Sequence, residues 1–344
     1  MVLLILTFTL AFLLSLYGVP VARRAALKYG IVDSQDGRLK RQREPVPYLG
    51  GLAIYLAFLG SLAFTFEFRQ DVLGIVLAGT LVVLLGLIDD FGVLSPGTKL
   101  AGQLLAVLVL IKSGVHIQIA AFPPWLCLFL TVVWMIGIIN AFNLLDVMDG
   151  LSAGVGLISA LFLLVVAILN GDTTLAFMLT ALAGSLLGFL RYNVHPAKIY
   201  MGDSGALFIG LMLGALAMIG QYKGDHPVAL LSPLLILGVP IFDTLFVMYI
   251  RSLRGLPMFL GSPDHMALRL RHWGLTVPQV VAVSYGATVV MGGVGLAVMA
   301  VGERTAWGLL GLTGMALVAV ALILKKVDME QKIPADARNG QVRS

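Results

Sequence analysis

Long apolar stretches, separated by short polar connections, run along almost the whole chain. One of them, VLGIVLAGTLVVLLGLI at 72–88, carries no charged side chain until Asp89 and Asp90 end it. Continuous apolar runs of roughly 20 residues span a bilayer as helices, whereas membrane-spanning strands alternate apolar and polar positions. The pattern therefore predicts an all-α, polytopic transmembrane bundle of eleven segments. These are 1–20, 49–66, 71–88, 98–116, 124–142, 151–170, 174–191, 205–221, 227–250, 278–300 and 306–325.

The composition also favours a membrane bundle and excludes a soluble globular domain. Hydrophobic residues make up 59% of the chain and charged residues 12%, whereas soluble domains carry about 25% charged residues. We expect one integral membrane domain over 1–326 and a polar, disordered cytoplasmic tail over 327–344. The first segment is expected to be retained, because Arg23 and Lys28 follow it, the reverse of the order in a cleaved signal peptide. The single cysteine, Cys127, excludes an internal disulfide and a cysteine metal cluster.

The distribution of basic residues predicts the orientation of the bundle. Of the 23 lysines and arginines, only Arg69, Lys112, Lys223 and Arg304 fall on one side of the predicted topology. By the positive-inside rule, the amino terminus is outside and the carboxyl terminus is cytoplasmic. The net charge of +5 is then explained mostly by basic residues that set the membrane orientation. Nucleic acid is therefore rejected as a partner, and the protein is expected to be surrounded by membrane lipid.

Carboxylates gather at the cytoplasmic ends of the predicted segments. Charged groups near hydrocarbon are costly, so acids concentrated on one membrane face indicate a functional site there. Unrelated polar residues would be divided between the two faces. The acids on this face are Asp89, Asp90, Asp146, Asp149, Asp203, Asp243 and Asp264.

A polar stripe occupies the end of the fifth segment, in NAFNLLDVMDG. Asn140, Asn143, Asp146 and Asp149 are each three residues from the next, and residues three apart share a helix face, although a strict three-residue step drifts around it. Oxygen atoms in such a row can contact a metal ion, a nucleobase and a sugar at the same time. The alternative is a polar stripe that fills the interior of the bundle.

The sequence MGDSG at 201–205 places Asp203 between Gly202 and Gly205 at the start of the eighth segment. An acid in this position can cap the helix. The glycines also let a phosphate approach the backbone, and hard oxygen ligands suit Mg²⁺, with Mn²⁺ as a substitute. Clustered histidines and cysteines for zinc are too few.

Cations lie beside these acids. Lys99 follows Asp89 by ten residues, and Arg43 closes a basic stretch that begins at Arg38. A cationic loop beside acidic metal ligands indicates phosphates on both sides of a metal, so Lys99 and Arg43, at the membrane edge, are predicted to bind a phosphate carried by a lipid. A lipid-headgroup or topology contact is the alternative for each.

The stretch SPDHMALRLRH adds a further polar group. His265 and Arg269, at i and i+4 of a predicted helix, can face a phosphate or a sugar, or can belong to an amphipathic helix on the membrane surface. Asp243, after Pro240, is either a site residue or a buried structural acid. Asp264 receives no specific role.

Five motifs occur in a fixed order along the chain, and together they carry a resemblance. They are PVPYLGG (45–51), LIDD (87–90) followed by Lys99, NAFNLLDVMDG (140–150), KIYMGDSG (198–205) and PIFDT (240–244). Over about 1–325 the chain resembles the polyprenyl-phosphate N-acetylhexosamine-1-phosphate transferases of glycosyltransferase family 4. The resemblance implies transfer of N-acetylhexosamine 1-phosphate, most simply that of GlcNAc, from a UDP-sugar to undecaprenyl or another polyprenyl phosphate. UMP would be released and an envelope glycan, such as that of the cell wall or the lipopolysaccharide O-antigen, would be initiated.

The resemblance also implies roles, a cofactor and a location. Asn143 and Asp203 would contact Mg²⁺, and Asp146 and Asp149 would lie near the nucleotide-sugar. Asp89 would be the base for the lipid phosphate, with Asp90 beside it as the second catalytic residue. The enzyme would work at the cytoplasmic face of the bacterial inner membrane, with a homodimer as a possible assembly.

Two departures from the family pattern leave the sugar open. Family members often read D-G-x-D-G where this chain has Val147 after Asp146, and an H-x-H-H loop is reduced here to His265. Other classes of membrane protein fit the sequence less well. A transporter would show inverted repeats and acids at mid-membrane, and a CDP-alcohol transferase would show a tight Asp/Gly spacing on one helix. A catalytically inactive regulator or scramblase of the same fold is the remaining alternative.

Overall fold

Helices form almost all the regular structure of the computed structural model. It describes residues 1–32, 46–66, 70–222, 224, 226–256, 264–327 and 329. The helices are α1 (Val2–Tyr29), α2 (Gly50–Thr65), α3 (Gln70–Asp90), α4 (Pro96–Lys112), α5 (Pro124–Leu145), α6 (Leu151–Leu169), α7 (Thr173–Asn193), α8 (Gly202–Ile219), α9 (Ser232–Ile236), α10 (Gly238–Leu253), α11 (Met266–His272), α12 (Val277–Ala300) and α13 (Glu303–Lys325). Within those ranges the extended pairing is limited to an isolated bridge between Val32 and Pro47. The predicted all-α polytopic membrane bundle is confirmed.

Every predicted apolar segment contains a helix, although the helices differ in length. Eight described helices are long and apolar enough to cross a membrane. The shorter helices include α2 and α10, of 16 residues each, and α4, of 17 residues. The count of eleven spans and the orientation of the termini stay predictions.

The segment predicted as continuous over 227–250 is bent. A 3-10 turn, Pro227–Leu231, runs into α9, and the pair meets α10 at 75°. Pro233 and Pro240 lie in the first turns of α9 and α10, where the missing proline N–H is tolerated but a preceding helix cannot continue unbroken. Hydropathy therefore predicted the extent of this apolar segment correctly but did not predict its bend.

The centre of the bundle is formed by α7 and α8. About four-fifths of the apolar window of each helix is buried (78%), compared with 6% for α13. α8 packs on α3 and α5, and α7 packs on α1 and α6. A methyl group on Gly51 would overlap the backbone of Gly205, and one on Gly86 would overlap that of Ser204. These close approaches fix the first turn of α8, which carries Asp203, against α2 and α3.

Some predictions concern residues beyond the described part of the chain. Almost all of the predicted tail lies outside the described residues, as does the whole basic stretch from Arg38 to Arg43. The division into a membrane domain and a tail stays a prediction.

Candidate active site

Four helix ends meet around the ammonium group of Lys99. Its Nζ lies 2.7 Å from Asp89 Oδ2, 2.5 Å from Asp203 Oδ2 and 3.0 Å from Asn143 Oδ1. Asn143 Nδ2 also donates to Asp203 Oδ1 at 2.8 Å. We call Asp89, Asn143 and Asp203 the three-oxygen cluster. Residues separated by as many as 114 positions in the chain thus converge on one point.

Local structure explains how Lys99 reaches this point. α3 ends at Asp90, and Gly92 adopts φ +70° in the turn that follows. Ser95 then caps α4 by accepting from Thr98 N at 3.2 Å, and proline at the first helical position suits this start. The tight connection returns the chain so that Lys99, in the first turn of α4, faces the end of α3.

The cluster fits a divalent cation. Its donors are two carboxylates and one amide whose oxygens already point at a common cationic group. Within the described ranges, no group of three or more His, Cys, Asp and Glu could hold a metal. A site with few protein ligands, completed by water and substrate phosphate, is what Mg²⁺ favours. Asp203 lies in the first turn of α8.

Asp90 caps α8 from a neighbouring helix. Its Oδ1 accepts from Asp203 N at 2.7 Å and its Oδ2 accepts more weakly from Ser204 N at 3.4 Å. Gly202 has φ +69°, and a Cβ there would lie 2.6 and 2.7 Å from the two carboxylate oxygens. The capping acid is therefore Asp90, and Asp203 is left to face Lys99.

The cap formed by Asp90 and the contact of Asp89 with Lys99 predict different outcomes for substitutions at these two adjacent acids. Asp90→Asn should keep transfer within a few-fold of the wild type, because Asn caps helices about as well as Asp. Asp90→Leu should lower stability by about 1 kcal/mol and lower transfer as well, because two N–H groups lose their acceptor. Asp89→Asn, the same chemical change one residue away, should lower transfer by roughly 10²–10³-fold, because it removes a carboxylate of the three-oxygen cluster. The measurements are the sugar-phosphate transfer that the family resemblance implies and thermal stability in detergent.

Equal losses in the Asp89→Asn and Asp90→Asn proteins would contradict this division of roles. That result would mean that the charge of Asp90, and not its capping geometry, takes part in the reaction.

The polar stripe predicted on one helix face is interrupted. α5 ends at Leu145, with Asp146 as its partly buried C-cap, so only Asn140 and Asn143 share a helix face. Asn140 forms an amide pair with Gln103 of α4, with Nδ2 2.8 Å from Gln103 Oε1 and Oδ1 3.3 Å from Gln103 Nε2. The stripe thus serves both the cluster and the contact between α4 and α5.

Asp149 lies in the turn before α6 and is held by the loop that precedes α8. Its Oδ2 is 2.7 Å from His195 Nδ1 and accepts from Ala197 N at 3.0 Å. The same turn is tied by Gly150 N, which donates to Asn193 Oδ1 at 3.0 Å. Sequence reasoning missed His195 and Asn193. The sign of these residues in the sequence was their position in NVHPAK, which ends two residues before MGDSG.

The remaining predicted site residues form a separate buried group. Asp243 Oδ2 lies 2.7 Å from His265 Nδ1, and Asp243 Oδ1 accepts from Met266 N at 2.7 Å, which caps α11. Asp264 accepts from Arg269 Nη2 at 2.5 Å. The described side-chain bonds of His265 and Arg269 reach Asp243 of α10, Asp264 before α11, and the carbonyls of Leu324 and Val327 at and after the end of α13. The structure therefore does not bring His265 and Arg269 into hydrogen-bonding contact with the three-oxygen cluster.

Comparisons with known proteins place these features in a family. Residues 72–221 match the sequence model of glycosyl transferase family 4. The chain is 34% identical over 294 residues to a probable undecaprenyl-phosphate N-acetylglucosaminyl 1-phosphate transferase of Bacillus subtilis (strain 168), a match that covers 83% of this chain and 82% of the relative. It is 34% identical over 319 residues to a decaprenyl-phosphate N-acetylglucosaminephosphotransferase of Mycobacterium leprae, which covers 79% and 80%. It is also 32% identical over 298 residues to a phospho-N-acetylmuramoyl-pentapeptide-transferase of Halalkalibacterium halodurans, which covers 78% and 89%.

Proposed function

The chain belongs to glycosyl transferase family 4, the polyprenyl-phosphate sugar-1-phosphate transferases, and from that membership we propose a specific reaction. The protein transfers GlcNAc 1-phosphate from UDP-GlcNAc to a polyprenyl phosphate such as undecaprenyl phosphate. The products are polyprenyl-diphosphate GlcNAc and UMP, and the product lipid initiates an envelope glycan. The reaction takes place at the cytoplasmic face of the bacterial inner membrane. The observation that carries the proposal is the convergence of Asp89, Asn143 and Asp203 on one cationic group.

The names of the relatives support the choice of GlcNAc. The reduced H-x-H-H pattern does not. Two of the relatives described above are named for N-acetylglucosamine, although a muramoyl-pentapeptide transferase also matches. His265, the one histidine left of the H-x-H-H pattern, is buried and lies 2.7 Å from Asp243.

The main obstacle to the reaction is bringing two anionic phosphates together. The acceptor is a phosphate monoester whose second pKa lies near 6, as for phosphoserine, so it is largely a dianion at pH 7. General base catalysis therefore contributes less than it would for an alcohol. The residues that fit a divalent cation are Asp89, Asn143 and Asp203, and Mg²⁺ bound there would supply charge stabilisation on the diphosphate and the departing UMP.

The chain's own residues orient the substrates for a direct in-line displacement. An oxygen of the acceptor phosphate attacks the β-phosphorus of UDP-GlcNAc, and the bond from that phosphorus to the bridging oxygen breaks to release UMP. Asp89 accepts the proton of any monoanionic acceptor and orients its phosphate. Lys99 offsets the charge of the approaching phosphates, and Asp90 keeps the first turn of α8 in place. Holding the two substrates in position raises their effective concentration toward each other.

Purified protein given a panel of UDP-sugars with undecaprenyl phosphate tests the proposal. UMP should form together with lipid-linked sugar only when UDP-GlcNAc, the acceptor and Mg²⁺ are all present, EDTA should abolish it, and Mn²⁺ should restore it. Absence of UMP with every donor would instead favour an inactive protein of this fold.

The same assay separates the direct route from a two-step route in which Asp89 is the nucleophile. In that route Asp89 would form an acyl-phosphate before the lipid arrives. The direct route predicts no UMP burst without acceptor. One UMP per enzyme molecule released under those conditions would overturn it.

A further inference from the structure

Lys99 occupies the point at which the three-oxygen cluster converges. Its Nζ is within 3.0 Å of an oxygen of Asp89, Asn143 and Asp203. An ammonium group has three N–H donors, and each has an acceptor here. The lysine is thus bound as a cation by the same atoms that fit a divalent ion.

We propose that Lys99 and a divalent cation are alternative occupants of the three-oxygen cluster, and that the nucleotide diphosphate draws Lys99 out of it. The inference rests on the proposed function, since it takes the cation of that reaction as the competitor. Mg²⁺ binds its oxygen ligands at about 2.0–2.1 Å. An ion held by these oxygens would therefore lie against Nζ, where sterics and like-charge repulsion exclude both from being bound at once.

The surroundings of Lys99 allow its side chain to move without repacking the core. Its neighbours Thr98 and Leu100 are exposed, and so is Gly97 one position earlier. The Lys99 side chain itself is 17% exposed. A flexible four-carbon stem at the open first turn of a helix can swing its ammonium from the carboxylates to a phosphate.

The exchange couples the binding of nucleotide and metal. When a diphosphate accepts the hydrogen bonds of Lys99, the carboxylates of Asp89 and Asp203 lose their cation, and a divalent ion then binds more tightly. By linkage the metal strengthens diphosphate binding by the same factor. A lysine that only contacted phosphate would give no such coupling, because its removal would leave the affinity of the metal for the free enzyme unchanged.

Titration of Mn²⁺, followed by the electron paramagnetic resonance signal of the free ion, tests the proposal with and without UDP. Without nucleotide, Lys99→Met should bind Mn²⁺ at least about tenfold more tightly than the wild type. The gain in Mn²⁺ affinity on adding UDP should shrink by a similar factor in the variant. Lys99→Arg, which keeps a cation in place, should stay close to the wild type. Lys112→Met, on the same helix about 20 Å away by helix rise, is the matched control and should behave like the wild type.

A second measurement covers the case in which Lys99→Met folds poorly without metal. Mn²⁺ should then raise the thermal midpoint of this variant more than that of the wild type, since at a given concentration the tighter-binding ligand stabilises the folded state more. If Lys99→Met binds Mn²⁺ no more tightly than the wild type while UDP still promotes Mn²⁺ binding by both, the competition is wrong and the proposed function stands. If neither protein binds Mn²⁺ beyond what free UDP binds, both the competition and the proposed cofactor are wrong.

Discussion

Replacing Asp203 by Asn should lower sugar-phosphate transfer by roughly 10²–10³-fold while leaving the protein folded. Asn keeps the size of the side chain but removes the charge that faces Lys99 at 2.5 Å. The cluster then has one carboxylate for a divalent cation in place of two. Loss of favourable charge at the first turn of α8 should reduce stability by only about 0.3–1 kcal/mol. UMP release per folded molecule, together with the thermal midpoint, measures the two effects separately.

Asp172→Asn is the matched control for the Asp203 variant. Asp172 also begins a helix, since its Oδ1 accepts from Leu175 N at 2.9 Å at the start of α7. The 21 residues of α7 place it about 30 Å from Asn193, which lies at the end of the helix near the site. Asn caps a helix as well as Asp, so transfer and stability should both stay near the wild type. If both variants lose the same activity, the three-oxygen cluster is not where transfer occurs.

Much of the fold could be predicted because hydrocarbon imposes one solution on the backbone. A run of apolar residues that crosses a bilayer must satisfy its N–H and C=O groups internally, so each apolar segment is a helix. The bend at Leu237 could not be predicted from hydropathy. The two prolines at 233 and 240 were the available sign, because each favours the start of a helix over its interior.

Part of the candidate site could also be predicted from the sequence. Asp89, Asn143 and Asp203 were all expected at one face, and the structure joins them through Lys99. The capping contact of Asp90 could not be predicted, because a cap supplied by a helix 113 positions away in the chain depends on tertiary packing. A charged residue in a sequence suggests solvent or ligand, and only the structure shows that its partner is a backbone amide.

The residues around Arg269 show even more strongly that spacing in a sequence does not predict tertiary contacts. Sequence spacing predicted that His265 and Arg269 face a phosphate or a sugar. In the structure Arg269 and Asp264 are each 1% exposed. Every guanidinium nitrogen of Arg269 donates to a protein oxygen, Nε and Nη2 to Asp264 and Nη1 to the carbonyls of Leu324 and Val327 at 3.0 and 3.1 Å. A binding role for Arg269 stays a prediction, but its observed contacts hold the end of α13.

Arg269→Ala should lower the free energy of unfolding by about 3–5 kcal/mol, because it leaves the buried carboxylate of Asp264 with a weakened set of partners. Arg254 Nη1 also contacts Asp264, at 3.2 Å, but its own side chain is 48% exposed. The variant additionally removes the donors to the last carbonyls of α13 and the contact of the guanidinium with the Phe246 ring, 5.5 Å from its centroid. A large fall in thermal midpoint or loss of folded protein in detergent is the expected result.

Arg271→Ala separates this structural role from a general effect of removing an arginine. Arg271 lies on the same short helix, is only partly buried, and donates to Leu275 O at 2.6 Å, so its loss should change stability by about 0.5–1.5 kcal/mol. The KM for UDP-GlcNAc, measured on the folded fraction of each variant, provides the second readout. A stable Arg269→Ala protein with a raised KM would assign Arg269 to the nucleotide-sugar, as the spacing in the sequence first suggested. An unstable protein whose folded fraction keeps a normal KM would assign Arg269 to packing, because a buried ion pair that caps a helix affects substrate binding only by keeping its surroundings folded.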